Sequence, residues 1–345
     1  MARNQLVVMS EPSDSHDAAK PEAKRKSVGG GRIGDLAERY ALVAVWIFII
    51  VLFSALRPDI FPTAENFTTI FGSQSVLVIL ALGLILPLVV GQFDLSIGAA
   101  MSLSAVIVAY LNVKLGWPIG YALVAAAALG VAIGALNGLL VVVLGVDALV
   151  ATLGVGTLLT GLAYAVSDYN VISGVDRSFV HLISFDVLGL PTSFYLALAL
   201  ALVLWYVFRY TPLGRHLIFT GAGRDVARLS GLPVRRLRLG AFIVCSVCAA
   251  FAGVILTGII GAGDANSGLA FLLPAYAAAF LGSTAIRPGQ FNPWGTVVAV
   301  YFLITGITGL QLLGLASWIQ DVFYGLALIV AVTLSRLVAL RRNTA

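Results

Sequence analysis

Charge is the scarcest property of this 345-residue chain: only 11% of its residues are Asp, Glu, Lys or Arg, while 60% are hydrophobic. A soluble domain carries about 25% charged residues, so water is excluded as the main solvent of the fold. The formal net charge of +5 does not argue for nucleic acid, because in so apolar a chain Lys and Arg report membrane orientation. Cysteine is equally scarce. Cys245 and Cys248 alone exclude a disulfide framework and a four-ligand metal site. Their C-x-x-C lies in an apolar run that disfavours a thiolate, so they read as packing thiols. The three histidines, His16, His181 and His216, fall in a tail and two separate loops, too scattered for a metal site. None of the four lysines, Lys20, Lys24, Lys26 and Lys114, stands in a G-x-x-x-x-G-K-[ST] frame, which excludes ATP binding by a P-loop of this chain. No nucleophile–base pair is recognisable, which argues against an intramembrane enzyme.

What the chain has in quantity is apolar sequence. A transmembrane helix needs about 20 predominantly apolar residues. Ten segments approach that length: 40–56, 74–90, 96–113, 119–144, 149–167, 193–209, 239–260, 268–283, 294–311 and 318–337. The expected fold is therefore all-α, a polytopic membrane protein of about ten transmembrane helices, some broken or re-entrant. Pro87 in the second segment and Pro274 in the eighth predict helices that break inside the protein and line a cavity, where freed backbone groups find partners. Residues 1–39, with Lys24-Arg25-Lys26 and Gly29 to Gly31, read as a disordered cytoplasmic tail. Residues 40–338 read as the transmembrane domain, with a cytoplasmic loop at about 210–238, and 339–345 as a second cytoplasmic tail. The run Tyr40 to Leu56 exceeds the roughly 7–15 residues of a cleavable signal core, so a retained first helix is expected.

With the N-terminus inside, 18 of the 21 basic residues fall in inner segments; Arg57, Lys114 and Arg177 remain outside. The positive-inside rule then puts both termini in the cytoplasm and favours an even number of spans. The longest outer connection, 168–192, holds Asp168, Tyr169, Asp176, Phe179 and Asp186, and suits a cover over a pore mouth or an external contact.

The longest inner connection is the most informative. Gly223, Arg224, Asp225, Val226, Ala227, Arg228, Leu229, Ser230 and Gly231 have the form of a short surface helix, with Asp225 at the positive end of its dipole and Gly231 as its stop. Val226, Leu229 and Ala227 would give it a small apolar face. A solvated basic loop and a helix that docks on a cytoplasmic partner are both open on these residues alone. Asp94 is the main ionisable residue in the bilayer region, where a carboxylate costs about 2.5–3.5 kcal/mol. Two readings stand for it: Asp94 or Ser96 caps the third helix, or Asp94 contacts substrate or a gate. Gly130, Gly134 and Gly138 form a small-x-x-x-small ladder for close helix approach, with Asn137 beside it. A faint echo links Gly91-Gln92-Phe93-Asp94 to Gly289-Gln290-Phe291-Asn292.

Gly91-Gln92-Phe93-Asp94-Leu95-Ser96-Ile97-Gly98 resembles the G-x-x-D-L-S-x-G signature of bacterial ABC sugar-importer permeases of the ribose/xylose/arabinose type. Asn137-Gly138 through Ala151-Thr152-Leu153-Gly154 is similar to that group's N-G-L-L … A-T-L-G pattern. The loop T-P-L-G-R … G-A-G-R-D-V-A-R-L-S-G-L resembles its cytoplasmic T-x-x-G-R … G-x-N-x-x-A-A-x-x-S-G-I element. The resemblance runs from about residue 40 to 338. The chain departs at Arg224-Asp225-Val226, where the group more often has Asn, an acidic residue or Pro, and Ala. It departs again at 287–292, where a glycine-rich G-G-x-G element is more usual.

The resemblance implies the membrane-spanning subunit of a binding-protein-dependent importer of a monosaccharide or similar polar solute, in a bacterial inner membrane. Implied partners are a cytoplasmic ABC ATPase, a periplasmic substrate-binding protein, a second permease chain in a homodimer or heterodimer, and membrane lipid, with no nucleic acid. It implies no cofactor on this chain, since ATP and Mg belong to the ATPase. Gly223, Arg224, Asp225, Val226, Ala227, Leu229 and Gly231 are then the coupling candidates. Gln92, Asp94, Ser96, Asn137, Thr152 and Asn292 are the candidates for the pathway or its gate. The alternatives are a permease for branched-chain amino acids or nucleosides, and an ion-coupled secondary transporter using Asp94.

Overall fold

The computed structural model describes residues 32–343, and side chains over 39–334. The chain enters as α1 (Arg32–Leu56), so residues 32–39 are helical rather than tail, and 1–31 lie outside the described residues. α2 (Ala64–Ser73) and α3 (Ser75–Val89) follow, then α4 (Ile97–Ala109), α5 (Ile119–Gly138) and α6 (Ala148–Ser167). α4 and α5 each end in a π-helical turn, Tyr110–Lys114 and Leu139–Val143. α7 (Arg177–Ser184) precedes α8 (Thr192–Tyr210), α9 (Pro212–Ala222) and α10 (Arg224–Leu229). The last four helices are α11 (Val234–Ile260), α12 (Leu269–Gly282), α13 (Pro293–Leu312) and α14 (Trp318–Asn343).

Each of the ten expected apolar segments coincides with a helix, but fewer have membrane-crossing length. Among the described residues seven helices are long and apolar enough, and α2 with α3, bent by 41°, makes an eighth when counted as one broken span. α12 and the apolar stretch Trp318–Leu334 of α14 are shorter. At about 1.5 Å per residue, α12 reaches only some two-thirds of a hydrocarbon core. The prolines do not behave as the sequence suggested. α3 runs through Pro87 and α12 through Pro274, and the bend falls instead at the Gln74 junction. Pro87 stands in the last turn of α3, where its own carbonyl accepts from the Gln92 N–H at 2.9 Å. Nor is α3 a cavity wall along its length: fourteen of its residues are buried, and it forms the axis of the core.

α11 packs against α3, α4 and α5, and small residues make that closeness possible. A Cβ on Gly130 would lie 2.9 Å from the Val247 Cα, and one on Gly134 would strike the Ile243 and Phe242 backbone. The glycine ladder is thus the seam between α5 and α11. Cys248 packs against Gly83 of α3, as a filler thiol.

The connections sort to two ends. At one, the 90–96, 144–147 and 283–292 turns gather with α9 and α10. Arg224 reaches Gly91, and the Ile286 N–H donates to the Arg39 carbonyl at 2.8 Å. At the other, strand β1 (Ile172–Ser173) comes before the hairpin of β2 (Asp186–Val187) and β3 (Leu190–Pro191). β1 pairs antiparallel with β4 (Ala262–Gly263), Ile172 opposite Gly263. There too the Asp176 N–H donates to Asn112 Oδ1 at 2.9 Å. α7 lies over this end on its apolar face, with Phe179 and Ile183 buried.

Candidate functional site

The turn between α3 and α4 collects polar side chains from five other helices. Gly91 takes the left-handed conformation (φ +71°) that lets the chain leave α3 sharply. Its carbonyl accepts from Arg224 Nη2 of α10 at 3.1 Å. Gln92 Oε1 accepts from Arg238 Nη2 of α11 at 3.0 Å. The Asp94 N–H donates to the Tyr276 hydroxyl of α12 at 3.0 Å, and the Leu95 N–H to Thr152 Oγ1 of α6 at 3.0 Å. The Thr152 hydroxyl in turn donates to the Ala148 carbonyl at 2.7 Å. Every hydrogen-bonding group of an irregular segment at this depth needs such a partner, because lipid offers none.

The Asp94 carboxylate is wholly buried. Its Oδ1 accepts from the Ser96 N–H at 3.0 Å and the Ser96 hydroxyl at 2.6 Å. Asn137 Nδ2 donates to Ser96 Oγ at 2.8 Å and reaches both Asp94 oxygens at 3.5 Å. The Cys245 thiol lies beside this carboxylate. Asn137 Oδ1 is buried with no partner. The capping reading is sharpened: Asp94 holds the backbone at the entry to α4, and Ser96, the residue at the cap position, makes no side-chain cap of its own.

Five of the six pathway candidates, Gln92, Asp94, Ser96, Asn137 and Thr152, therefore meet in one cluster. Asn292 does not join it. It caps α13 through Oδ1, accepting from the Gly295 N–H at 2.7 Å, and its amide ties the Gly282, Ala285 and Gln290 carbonyls. The echo between the two turns has a structural counterpart all the same. Gly91 and Gly289 share the left-handed conformation, and both turns line one cleft beside Gly221. Phe93 and Phe291 both pack on Phe280, at ring distances of 6.3 and 5.4 Å.

Tyr276, Arg238 and Cys245 escaped the sequence reading. A phenol in an apolar run asks for a hydrogen-bond partner, which was the available signal for Tyr276. Arg238 and Cys245 lie seven residues apart, on one face of α11, but nothing local points that face at residues 92–94.

Asp94, Ser96, Asn137 and Thr152 are shut off from solvent, whereas Gln92 and Phe93 border an open cleft of about 600 Å³. Val141, Val142, Asp147, Leu149, Arg224 and Arg238 are among its other walls. Asp147 is occupied as the cap of α6, its Oδ1 accepting from Leu149 and Val150. An aromatic ring, an amide and two guanidiniums therefore face one cleft. Among the described residues no three His, Cys, Asp or Glu side chains group as metal ligands.

α10 forms where the spacing predicted, between extended Gly223 and left-handed Gly231 (φ +81°). The Leu232 N–H closes it on the Ala227 carbonyl at 3.1 Å. Val226 and Leu229, three residues apart, share its outer face as expected, but Ala227 does not join them. Val226 and Leu229 are 58% and 85% exposed, while Ala227, about 100° from Val226 around the helix, is fully buried against the bundle.

The family described as "Branched-chain amino acid transport system / permease component" matches residues 66–332. The D-allose transport system permease protein AlsC of Escherichia coli (strain K12) is 32% identical over 88% of this chain and 93% of its own. The ribose import permease protein RbsC of the same organism is 30% identical over 86% of this chain and 93% of its own. The autoinducer 2 import system permease protein LsrD of Salmonella paratyphi A is 30% identical, with 88% and 92% covered. No solved structure gives a significant match.

Proposed function

The chain belongs to the family of branched-chain amino acid transport system permease components, and from that premise we propose that it is the membrane-spanning subunit of an ATP-driven importer for a monosaccharide or similar polar solute. The substrate reading draws on relatives named for D-allose and ribose import, and on the aromatic ring and amide that Phe93 and Gln92 present to their cleft. The energy source is a separate ATPase, which holds ATP and Mg. A substrate-binding protein meets the end that carries α7 and β1, and a second permease chain completes the pathway. The chain lies in the inner membrane with ten spans over residues 40–338, and α10 and both tails are cytoplasmic.

One observation carries the mechanism. α10 presents Val226 and Leu229 outward, and its first residue, Arg224, holds the Gly91 carbonyl of the turn that leads to Asp94. A partner that grips Val226 and Leu229 and moves α10 therefore pulls on Gly91. Arg238, bonded to Gln92, gives the same turn a second link, to the foot of α11. The stretch Gly223 to Gly231 acts as the coupling element, and the Gln92–Ser96 turn with Asn137 and Thr152 as the inner gate. Asn292 sets the start of α13 beside that gate. The departure at Arg224 fits this reading, since its long side chain spans the gap to Gly91.

In proteoliposomes, uptake should require ATP, the cognate ATPase and the binding protein. The double variant Val226→Asp/Leu229→Asp should lose ATPase co-purification and at least about 90% of uptake while keeping its thermal stability, because exposed positions tolerate polar residues. Uptake by this chain alone, driven by a pH gradient, would overturn the proposal in favour of an ion-coupled carrier.

A further inference from the structure

The α10–α11 junction holds more positive charge than the gate and the coupling contact use. A cleft of about 540 Å³ is lined by Arg224, Arg228, Arg235, Arg236 and Arg238, with Asp225 its one acidic residue. Arg224 and Arg238 each commit a nitrogen to the Gly91–Gln92 turn. The Arg238 Nε is buried with no partner. Arg228, Arg235 and Arg236 make no ion pair among the described residues. Five guanidiniums gathered around a hollow repel one another unless an anion occupies it.

The remaining walls say which anion. Leu232, Pro233, Val234 and Val142 complete the cleft. Val142 belongs to the π-helical turn Leu139–Val143, whose Leu139 and Val143, with the adjoining Leu144, are about half or more exposed to the outside of the protein. Arg235 and Arg236 stand in the first turn of α11, a helix of membrane-crossing length. Basic and apolar surfaces thus adjoin at a helix end, where headgroups meet hydrocarbon. A free phosphate would leave the apolar strip bare, and an acidic protein segment would have to cover it at the depth of the bilayer. An amphiphile satisfies both, and arginine forks bind phosphate oxygens in pairs. We infer that this cleft is a binding site for an anionic phospholipid, the phosphate held by Arg228, Arg235 and Arg236 and an acyl chain lying along Leu139, Val143 and Leu144. The inference concerns a lipid site and stands whether or not the transport reading does.

Native mass spectrometry of the purified full chain tests it, with dioleoylphosphatidylglycerol, dioleoylphosphatidylcholine and inorganic phosphate as probes. The wild type should retain phosphatidylglycerol about tenfold better than phosphatidylcholine, and millimolar inorganic phosphate should not displace it. The triple variant Arg228→Gln/Arg235→Gln/Arg236→Gln should lose that preference with its melting temperature unchanged. Equal retention of the two lipids by the wild type would overturn the site, and that comparison decides alone if the triple variant fails to accumulate. Displacement by inorganic phosphate would make the cleft a free-anion site, and expulsion of the lipid on adding the cognate ATPase would make it a protein contact. Either result sinks the lipid assignment.

Discussion

A buried carboxylate surrounded by donors is held in place as firmly as it holds them. Asp94 gathers the Ser96 N–H and hydroxyl and the Asn137 amide around its two oxygens. Asp94→Ala leaves those donors without an acceptor, at about 1–3 kcal/mol for each one stranded. It should lower the melting temperature in detergent sharply. Asp94→Asn retains an oxygen for Ser96 and swaps the other for an NH2 group facing Asn137 and Cys245, so its loss should be nearer 1 kcal/mol. ATP-driven uptake should survive in the asparagine variant at a reduced rate. If that variant is as stable as wild type yet transports nothing, the carboxylate contacts the solute or a proton, and the positioning role is insufficient. Sequence alone named this residue because an acid in an apolar region is conspicuous. It could not name the partners, which come from positions as far away as Tyr276, 182 residues along the chain.

At the scale of helices, what was legible was whatever repeats or stands out locally. Hydropathy located ten helices, and the four-residue spacing of Gly130, Gly134 and Gly138 marked a face for close helix approach, which α11 fills. The glycines that bound α10 located a surface helix of six residues. Proline misled. Pro87 costs α3 the bond to the Gly83 carbonyl without breaking the helix, while the bend falls at Gln74, directly after the Gly72-Ser73 pair. The π-helical endings of α4 and α5 left no trace in composition either. The seam invites a paired test. Gly134→Ala drives a methyl group into the Ile243 and Phe242 backbone, which cannot move aside as a side chain can, so α5 and α11 must separate. A loss of about 1–3 kcal/mol is expected. Gly154→Ala on α6 meets nothing within 4 Å and should be neutral or slightly stabilising, since alanine favours the helix. Thermal unfolding of the two variants in detergent measures the difference. Equal stabilities would show that α5 and α11 are not closely packed in the membrane.

Across the whole molecule the two ends differ in charge and in covering. One end carries Arg209, Arg215, Arg224, Arg228, Arg235, Arg236, Arg238 and Arg287. Positive groups crowd there: burial, then the neighbouring Arg209 and Arg39, push the Arg287 pKa below its usual range. The other end has α7 and the two short strand pairs over it. The sequence assigned the first end to the cytoplasm from the distribution of Lys and Arg alone. The structure adds that α10, the Gln92–Ser96 turn and the five-arginine cleft all lie at that end, so the coupling, gate and lipid readings place the same demand on orientation. Labelling can test the demand directly. Cys245 and Cys248 are buried and stay silent toward a bulky, membrane-impermeant maleimide, whereas Ser230 at the end of α10 and Tyr169 in the opposite loop are exposed. On intact spheroplasts the Tyr169→Cys variant should be labelled and the Ser230→Cys variant should not. After permeabilisation both should react. Labelling of the Ser230→Cys variant from outside would place α10 and the basic cleft away from the ATPase, and both the orientation and the coupling mechanism would fall together.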